Sequence, residues 1–174
     1  MLDLWRHLRL RIGSRGRVTV SRSVSIPPDA RVTAARGARV IVFPGAVLGE
    51  GARISAESGT VVVGHHARLG QRAIVICRAG VTIETGAVVG DWAAVSDVEP
   101  PWFDSERPVR VQGVVASPVV VGAGAVIGPH AAVSASVAAG AVVAPYAVVE
   151  RRADRLVAVK SRSSAPRRGG RGAT

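Results

Sequence analysis

The chain is poor in the residues that usually wedge or staple a globule. Among its 174 residues there is one cysteine and one methionine, no asparagine, and only 3% of Phe, Trp and Tyr together. With Cys77 alone, no intrachain disulfide can form and no Cys-x-x-Cys metal or redox motif exists, which points to a reducing compartment. Scarce aromatics beside abundant aliphatics argue against an ordinary core and for a narrow, evenly filled interior. No run of 18 apolar residues is free of glycine and charge, so no transmembrane helix is expected. The N-terminus interrupts its apolar residues with Asp3, Arg6 and His7, unlike a signal peptide. The expected location is cytoplasmic.

What is present in excess is positive charge, a formal +11. It gathers at the ends: Arg6, Arg9, Arg11, Arg15 and Arg17 face only Asp3, and Lys160, Arg162, Arg167, Arg168 and Arg171 have no acidic neighbour. The body between them is close to neutral. Apart from Trp5, the ends interleave no aromatic residue with their charge, so no specific nucleic-acid binding is expected.

The body repeats every six residues. Hexads beginning at Leu48, Val63, Leu69, Ile83, Val89, Val121, Ile127, Val137 and Val143 all open on an aliphatic residue, and all nine place alanine fifth. Glycine holds the second position in six of them. A hexad is too short for a helix–turn unit but holds a short strand and a corner, so three close one triangular turn of about eighteen residues. Stacked turns lie about 4.8 Å apart. The first position then points inward, and the fifth sits in a cramped corner where a bulkier side chain would meet its own copies. The fourth position, Gly51, His66, Arg72, Gly86, Trp92, Gly124, His130, Gly140 or Tyr146, is expected to need positive φ. The predicted fold is all-β, a parallel β-helix spanning 18–150 with about six rungs and about 29 Å of height. Although parallel crossovers are normally right-handed, the short regular hexad argues for a left-handed coil.

Periodicity breaks once, over 97–114. Asp97, Glu99, Pro100, Pro101, Trp102, Phe103, Asp104, Glu106, Arg107, Pro108 and Arg110 gather there, and the prolines forbid a regular ladder. A polar loop thrown out from a rigid scaffold is where binding and catalysis usually sit.

The tandem [LIV]-G-x-x-A-x pattern over about 40–150 resembles the hexapeptide-repeat acyltransferase superfamily, whose members are left-handed β-helices. Asp97, Asp104, and Pro108-Val109-Arg110 followed by Gln112 resemble the sugar and polysaccharide O-acetyltransferase branch. That likeness implies a homotrimer whose clefts between neighbouring coils take acetyl-CoA and a sugar acceptor, with no metal. It implies acceptor contacts at Trp102, Phe103, Asp104 and Arg110, and CoA phosphate contacts at Arg151, Arg152 and Lys160. The branch's general base is a histidine in an Asp-x-x-His, and the matching slot here is Pro100, which cannot accept a proton. Asp97 or Glu99 could replace it if burial raised its pKa. His130, an outward corner residue just after the loop, is the third candidate. The branch's Asn-Pro-Ala segment near the C-terminus is absent, and Pro129 and Pro145 occupy positions whose main chain meets CoA in relatives yet have no N–H. These departures keep a second reading open, a non-catalytic scaffold or binding protein. His65 and His66 are adjacent on a strand and point to opposite faces, so they do not form a simple metal pair.

At the N-terminus, Leu4, Trp5, Leu8 and Ile12 share one helical face and Gly13 is placed to stop the helix, which predicts a short cap helix within 1–17. The same basic, amphipathic segment suits weak contact with an anionic membrane. Residues 151–174 form a C-terminal extension ending in a basic tail that reads as disordered.

Overall fold

The computed structural model describes residues 17–98, 116–152 and 155–159. The expected cap helix, most of the loop and the basic tail lie outside the described residues.

Among the described residues sixteen short strands wind into a parallel β-solenoid with three faces, a seventeenth pairs antiparallel at its end, and none is helical. Face A stacks β1 (Val18–Val20), β3 (Arg39–Val42), β6 (Thr60–Val63), β9 (Gly80–Ile83) and β12 (Val119–Val121). Face B stacks β4 (Val47–Leu48), β7 (Arg68–Leu69), β10 (Val88–Val89), β13 (Val126–Ile127) and β15 (Val142–Val143). Face C stacks β2 (Arg31–Ala34), β5 (Arg53–Ala56), β8 (Ile74–Cys77), β11 (Ala94–Ser96), β14 (Ala132–Val133) and β16 (Val148–Arg152), and β17 (Arg155–Val159) folds back antiparallel on β16.

About four turns are complete, with a strand on every face, from β3 to β14. At each end one further turn has a face reduced to a single bridge, Ser25 to Val47 at the start and Val121 to Val137 at the finish. Turn length also departs from the expected eighteen. Down face C, Arg31 pairs with Arg53, then Ile74, Ala94, Ala132 and Val148, offsets of 22, 21, 20, 38 and 16 residues. The early turns are longer because faces A and C carry four-residue strands where face B carries two, and the 38-residue offset contains the loop.

The interior is a stack of like on like. Val40, Val61, Val81 and Val119 follow one another down face A, Leu48, Leu69, Val89 and Ile127 down face B, and Ile54, Val75, Val95 and Val133 down face C, all buried. Of the nine fifth-position alanines eight are buried and Ala141 is partly buried against the same core. Small residues at the corners let neighbouring turns close to strand spacing, and the aliphatic ladders fill what remains without an aromatic ring.

All nine fourth positions have φ between +52° and +68°. That backbone is costly for a side chain with a Cβ, by roughly 1–2 kcal/mol, yet His66, Arg72, Trp92, His130 and Tyr146 adopt it. Corner geometry therefore overrides residue preference. The second-position glycines serve a different need. A Cβ on Gly128 would lie 2.5 Å from the Pro145 nitrogen of the next turn, so only glycine lets these two backbones approach.

Candidate active site

The loop departs from the edge where face C turns into face A. Its neck is closed by an antiparallel bridge between Val98 and Ala116, and Ser117 N–H donates to the Asp97 carbonyl at 3.0 Å. The Asp97 side chain does not reach outward to a substrate. It is 1% exposed and turns onto the preceding turn of the coil, where its carboxylate accepts from three successive main-chain N–H groups. Arg78 N–H reaches both oxygens at 2.8 and 3.0 Å, and Ala79 and Gly80 N–H reach Oδ2 at 2.6 Å each. Charge-assisted bonds of this length are the strong ones. The residue at the head of the expected catalytic motif is thus the anchor that ties the loop's root to the turn beneath, and its acceptor capacity is spent on backbone donors.

Beneath Asp97 lies Cys77, buried, with its thiol directed at the Ser58 and Thr60 carbonyls at 3.4 and 3.6 Å. Burial, then the neighbouring Asp97 charge and hydrogen bond, push this thiol up to about 12. It stays protonated and is not a nucleophile at neutral pH.

His130 stands at the opposite edge of face C, where face B turns into it. Trp92, its partner one turn earlier, precedes strand β11 (Ala94–Ser96) and Asp97 follows it, so strand β11 separates the two corners. Of the three candidate bases, Asp97 and His130 therefore stand at opposite edges of face C and are not brought together. Instead His130 is the third member of a column on this corner: Arg72, Trp92, His130 and Tyr146, each at positive φ and each donating its main-chain N–H to the preceding turn. The imidazole lies almost parallel to both ring neighbours, 8° from Trp92 with centroids 6.0 Å apart and 3° from Tyr146 with centroids 4.9 Å apart. The Arg72 guanidinium carbon sits 4.7 Å above the Trp92 ring. Strand spacing imposes the stack, since identical corners one turn apart put flat side chains at ring-stacking distance. His130 is exposed, with a ring stacked on either side of it.

Between the two edges face C carries a cavity of about 630 Å³. Ile76, Ala94, Val98, Ala132 and Val148 supply its apolar floor, and Glu57, Arg78, Ser96, Ser134 and Glu150 its polar margin. Glu57 and Arg78 pair there at 2.6 Å. Arg151, expected at CoA, is exposed on β16 and donates to the Pro118 carbonyl at 3.4 Å. Arg152 pairs with Arg155 across the β16–β17 hairpin. Glu99, Pro100, Trp102, Phe103, Asp104, Arg110 and Lys160 lie outside the described residues.

The column around His130 and the floor of the cavity were not singled out from sequence. The fourth-position phase names the members of the column, but only the 20-, 38- and 16-residue offsets reveal that they share one corner. The two histidines at 65 and 66 sit on a different edge, with ring centroids 6.5 Å apart and His65 packed against Phe43 at 4.9 Å.

No family model matches the chain, and no curated relative matches it. Solved structures do. An aspartate-to-alanine mutant of AntD, an N-acyltransferase from Bacillus cereus in complex with dTDP and coenzyme A, is 16% identical, with 91% of this chain and 89% of that one covered and a TM-score of 0.35. AntD in complex with dTDP and 3-hydroxybutyryl-CoA is 14% identical, with 91% and 88% covered and a TM-score of 0.32.

Proposed function

We propose that the chain is an acyl-CoA-dependent O-acyltransferase that transfers an acetyl group to a sugar hydroxyl. The observation that carries this reading is the coupling of a hexapeptide-type solenoid to a single polar insertion. That insertion, with its Pro-Val-Arg-x-Gln run, is rooted beside a 630 Å³ cavity on the solenoid's flat face. In this reading the coil is left-handed and trimeric, and each cleft is shared by neighbouring coils.

The chemistry is acyl transfer. The acceptor oxygen attacks the thioester carbonyl, a base takes the hydroxyl proton, and the tetrahedral oxyanion collapses with cleavage of the C–S bond. The proton then leaves with the CoA thiolate. Asp97 is occupied by three backbone donors, so the base is His130 or Glu99, and His130 has its ring orientation set by Trp92 and Tyr146. Trp102, Phe103, Asp104 and Arg110 serve the acceptor, and Arg151, Arg152 and Lys160 serve the CoA phosphates.

The competing reading is a binding protein on the same scaffold, favoured by Pro100 in the base's slot and by the structural employment of Asp97. Titration with acetyl-CoA by calorimetry, followed by CoA-thiol release across candidate sugars, separates the two. Absence of CoA binding at millimolar concentration would overturn the enzyme. Turnover that survives both His130→Ala and Glu99→Gln would overturn the assignment of the base.

A further inference from the structure

From Ala116 to Val149 the chain contains no Asp, Glu, Lys or Arg. A narrow coil places alternate strand residues outside, where charge is the ordinary means of keeping a surface in water. Register shows where the change of character falls. The outward ladder of face B runs Arg68, Val88, Val126, Val142, and that of face C runs Arg53, Ile74, Ala94, Ala132, Val148. Both pass from cationic to apolar along the coil, and between them stands the corner that carries Trp92, His130 and Tyr146.

Among the described residues, the exposed large apolar side chains are Ile74, Trp92, Val126, Val142, Tyr146 and Val148 at this edge, with Phe43 and Val47 on earlier turns. Val142 is 76% and Tyr146 68% exposed, values typical of solvated polar groups rather than of a valine and a tyrosine side by side. The charged groups beside Trp92 are already engaged. Asp91 Oδ1 accepts from the Gln71 N–H at 2.8 Å, and the Arg72 guanidinium lies over the Trp92 ring. A surface rich in aromatic and aliphatic groups and depleted of charge has the make-up of the buried centre of a protein–protein interface. The same molecule offers its complement. The face C cavity, floored by Ile76, Ala94, Val98, Ala132 and Val148, lies on the turns that carry the ridge of rings. Two coils standing parallel therefore bring ridge and hollow to one height without an axial shift, and a contact between different patches of identical copies can close into a ring. A lipid surface would cover the ridge but has no counterpart for the hollow.

We infer that the ridge of Trp92, His130 and Tyr146 docks over the face C cavity of a second copy of the chain, which sets the partner's His130 against the cavity's polar margin and the loop root. Within one coil His130 and the loop root stand at opposite edges of face C, so the site is incomplete until a neighbour supplies the imidazole. The docking stands on the surface alone, whereas the role of His130 as base rests on the acyltransferase reading.

Sedimentation velocity of the full chain should show a closed oligomer. Trp92→Arg and Tyr146→Arg put charge into the ridge at a slot that Arg72 already fills one or more turns earlier, so the coil should keep its fold. Each should weaken assembly by about thirtyfold or more, the effect of losing an aromatic anchor from an interface centre. Thr82→Arg, outward on face A, should leave assembly unchanged. The contact itself is read by co-expressing two single-cysteine chains in a Cys77→Ala background, one carrying His130→Cys and the other Ser134→Cys, and adding a short bismaleimide. Covalent dimers should join the two different chains, with none formed by either chain alone. A monomer, an oligomer indifferent to Tyr146→Arg, or an intact oligomer without mixed crosslinks would each overturn the inference. Crosslinking of His130→Cys chains to one another would overturn it too, because the edges would then meet each other rather than the cavity. Flotation of a monomer on phosphatidylcholine vesicles, lost in Tyr146→Arg, would reassign the ridge to lipid. Mixed crosslinks without binding of acetyl-CoA would uphold the docking and overturn the enzyme. Thermal transitions report folding, and the crosslinks decide the matter if the arginine variants fail to fold.

Discussion

Replacing Asp97 with alanine removes the acceptor for three successive main-chain donors at the root of the loop, those of Arg78, Ala79 and Gly80. A buried donor left without a partner costs roughly 1–3 kcal/mol. Arg78 and Ala79 are surface residues whose N–H groups can recover some water once the carboxylate is gone, which favours the lower end of that range. The expected loss for Asp97→Ala is about 3–4 kcal/mol, a large share of the roughly 5–15 kcal/mol that stabilises a typical domain. Asp97→Asn keeps one oxygen but turns an NH2 toward donors and removes the charge assistance, with an expected cost of about 2 kcal/mol. Urea unfolding followed by far-UV circular dichroism reads both changes as shifts in midpoint at unchanged slope. Amide exchange at residues 78–80 should accelerate selectively. A midpoint within 0.5 M of the parent for Asp97→Ala would refute the anchoring role, because a urea slope of about 1–3 kcal/mol/M converts the predicted loss into a shift of at least 1 M. Full stability combined with a hundredfold loss of turnover per folded molecule would instead identify Asp97 as the base.

Three further outcomes follow from the coil. Gly128→Ala, which drives a Cβ to 2.5 Å from the Pro145 nitrogen, should destabilise by about 2–3 kcal/mol. Gly124→Ala, at positive φ with open space around it, should cost only about 1 kcal/mol in the same urea assay. At Trp92 the usual order of alanine and glycine should invert. Trp92→Ala loses ring stacking worth about 1 kcal/mol and keeps the strained φ, whereas Trp92→Gly relieves it, so thermal melts should rank glycine above alanine. Cys77 should resist maleimide in the native protein at pH 8 and react at once in urea. Its folded pKa, about 12, lies above the ordinary 9.0, so the folded state holds a proton that the unfolded state releases between those values. Its stabilising contribution is complete below pH 9 and is lost as pH rises toward 12. The stability gap between the parent and Cys77→Ala should narrow over that window.

Much of the scaffold was legible in the residues because a hexad is a local object. The aliphatic first position, the alanine fifth and the positive φ of the fourth each follow from a strand and a corner six residues long. Val63, Ala67 and Gly86 could therefore be assigned their places in the hexad without knowing what lay above them. The break at 97–114 was equally visible, since three prolines and a cluster of charge cannot continue a ladder.

What the residues could not convey is which turn rests on which. Register offsets of 22, 21, 20, 38 and 16 residues are set by the lengths of the strands together with how many residues each corner between faces C and A absorbs, a choice no single hexad encodes. Those offsets stack Trp92, His130 and Tyr146 into one column, set Arg31 beside Arg53, and bring Asp97 over the donors of residues 78–80. A carboxylate at the start of a catalytic-looking loop and a carboxylate that anchors that loop are the same letter in the chain. Only the turn packed beneath Asp97, seventeen to nineteen residues earlier, assigned it the second role.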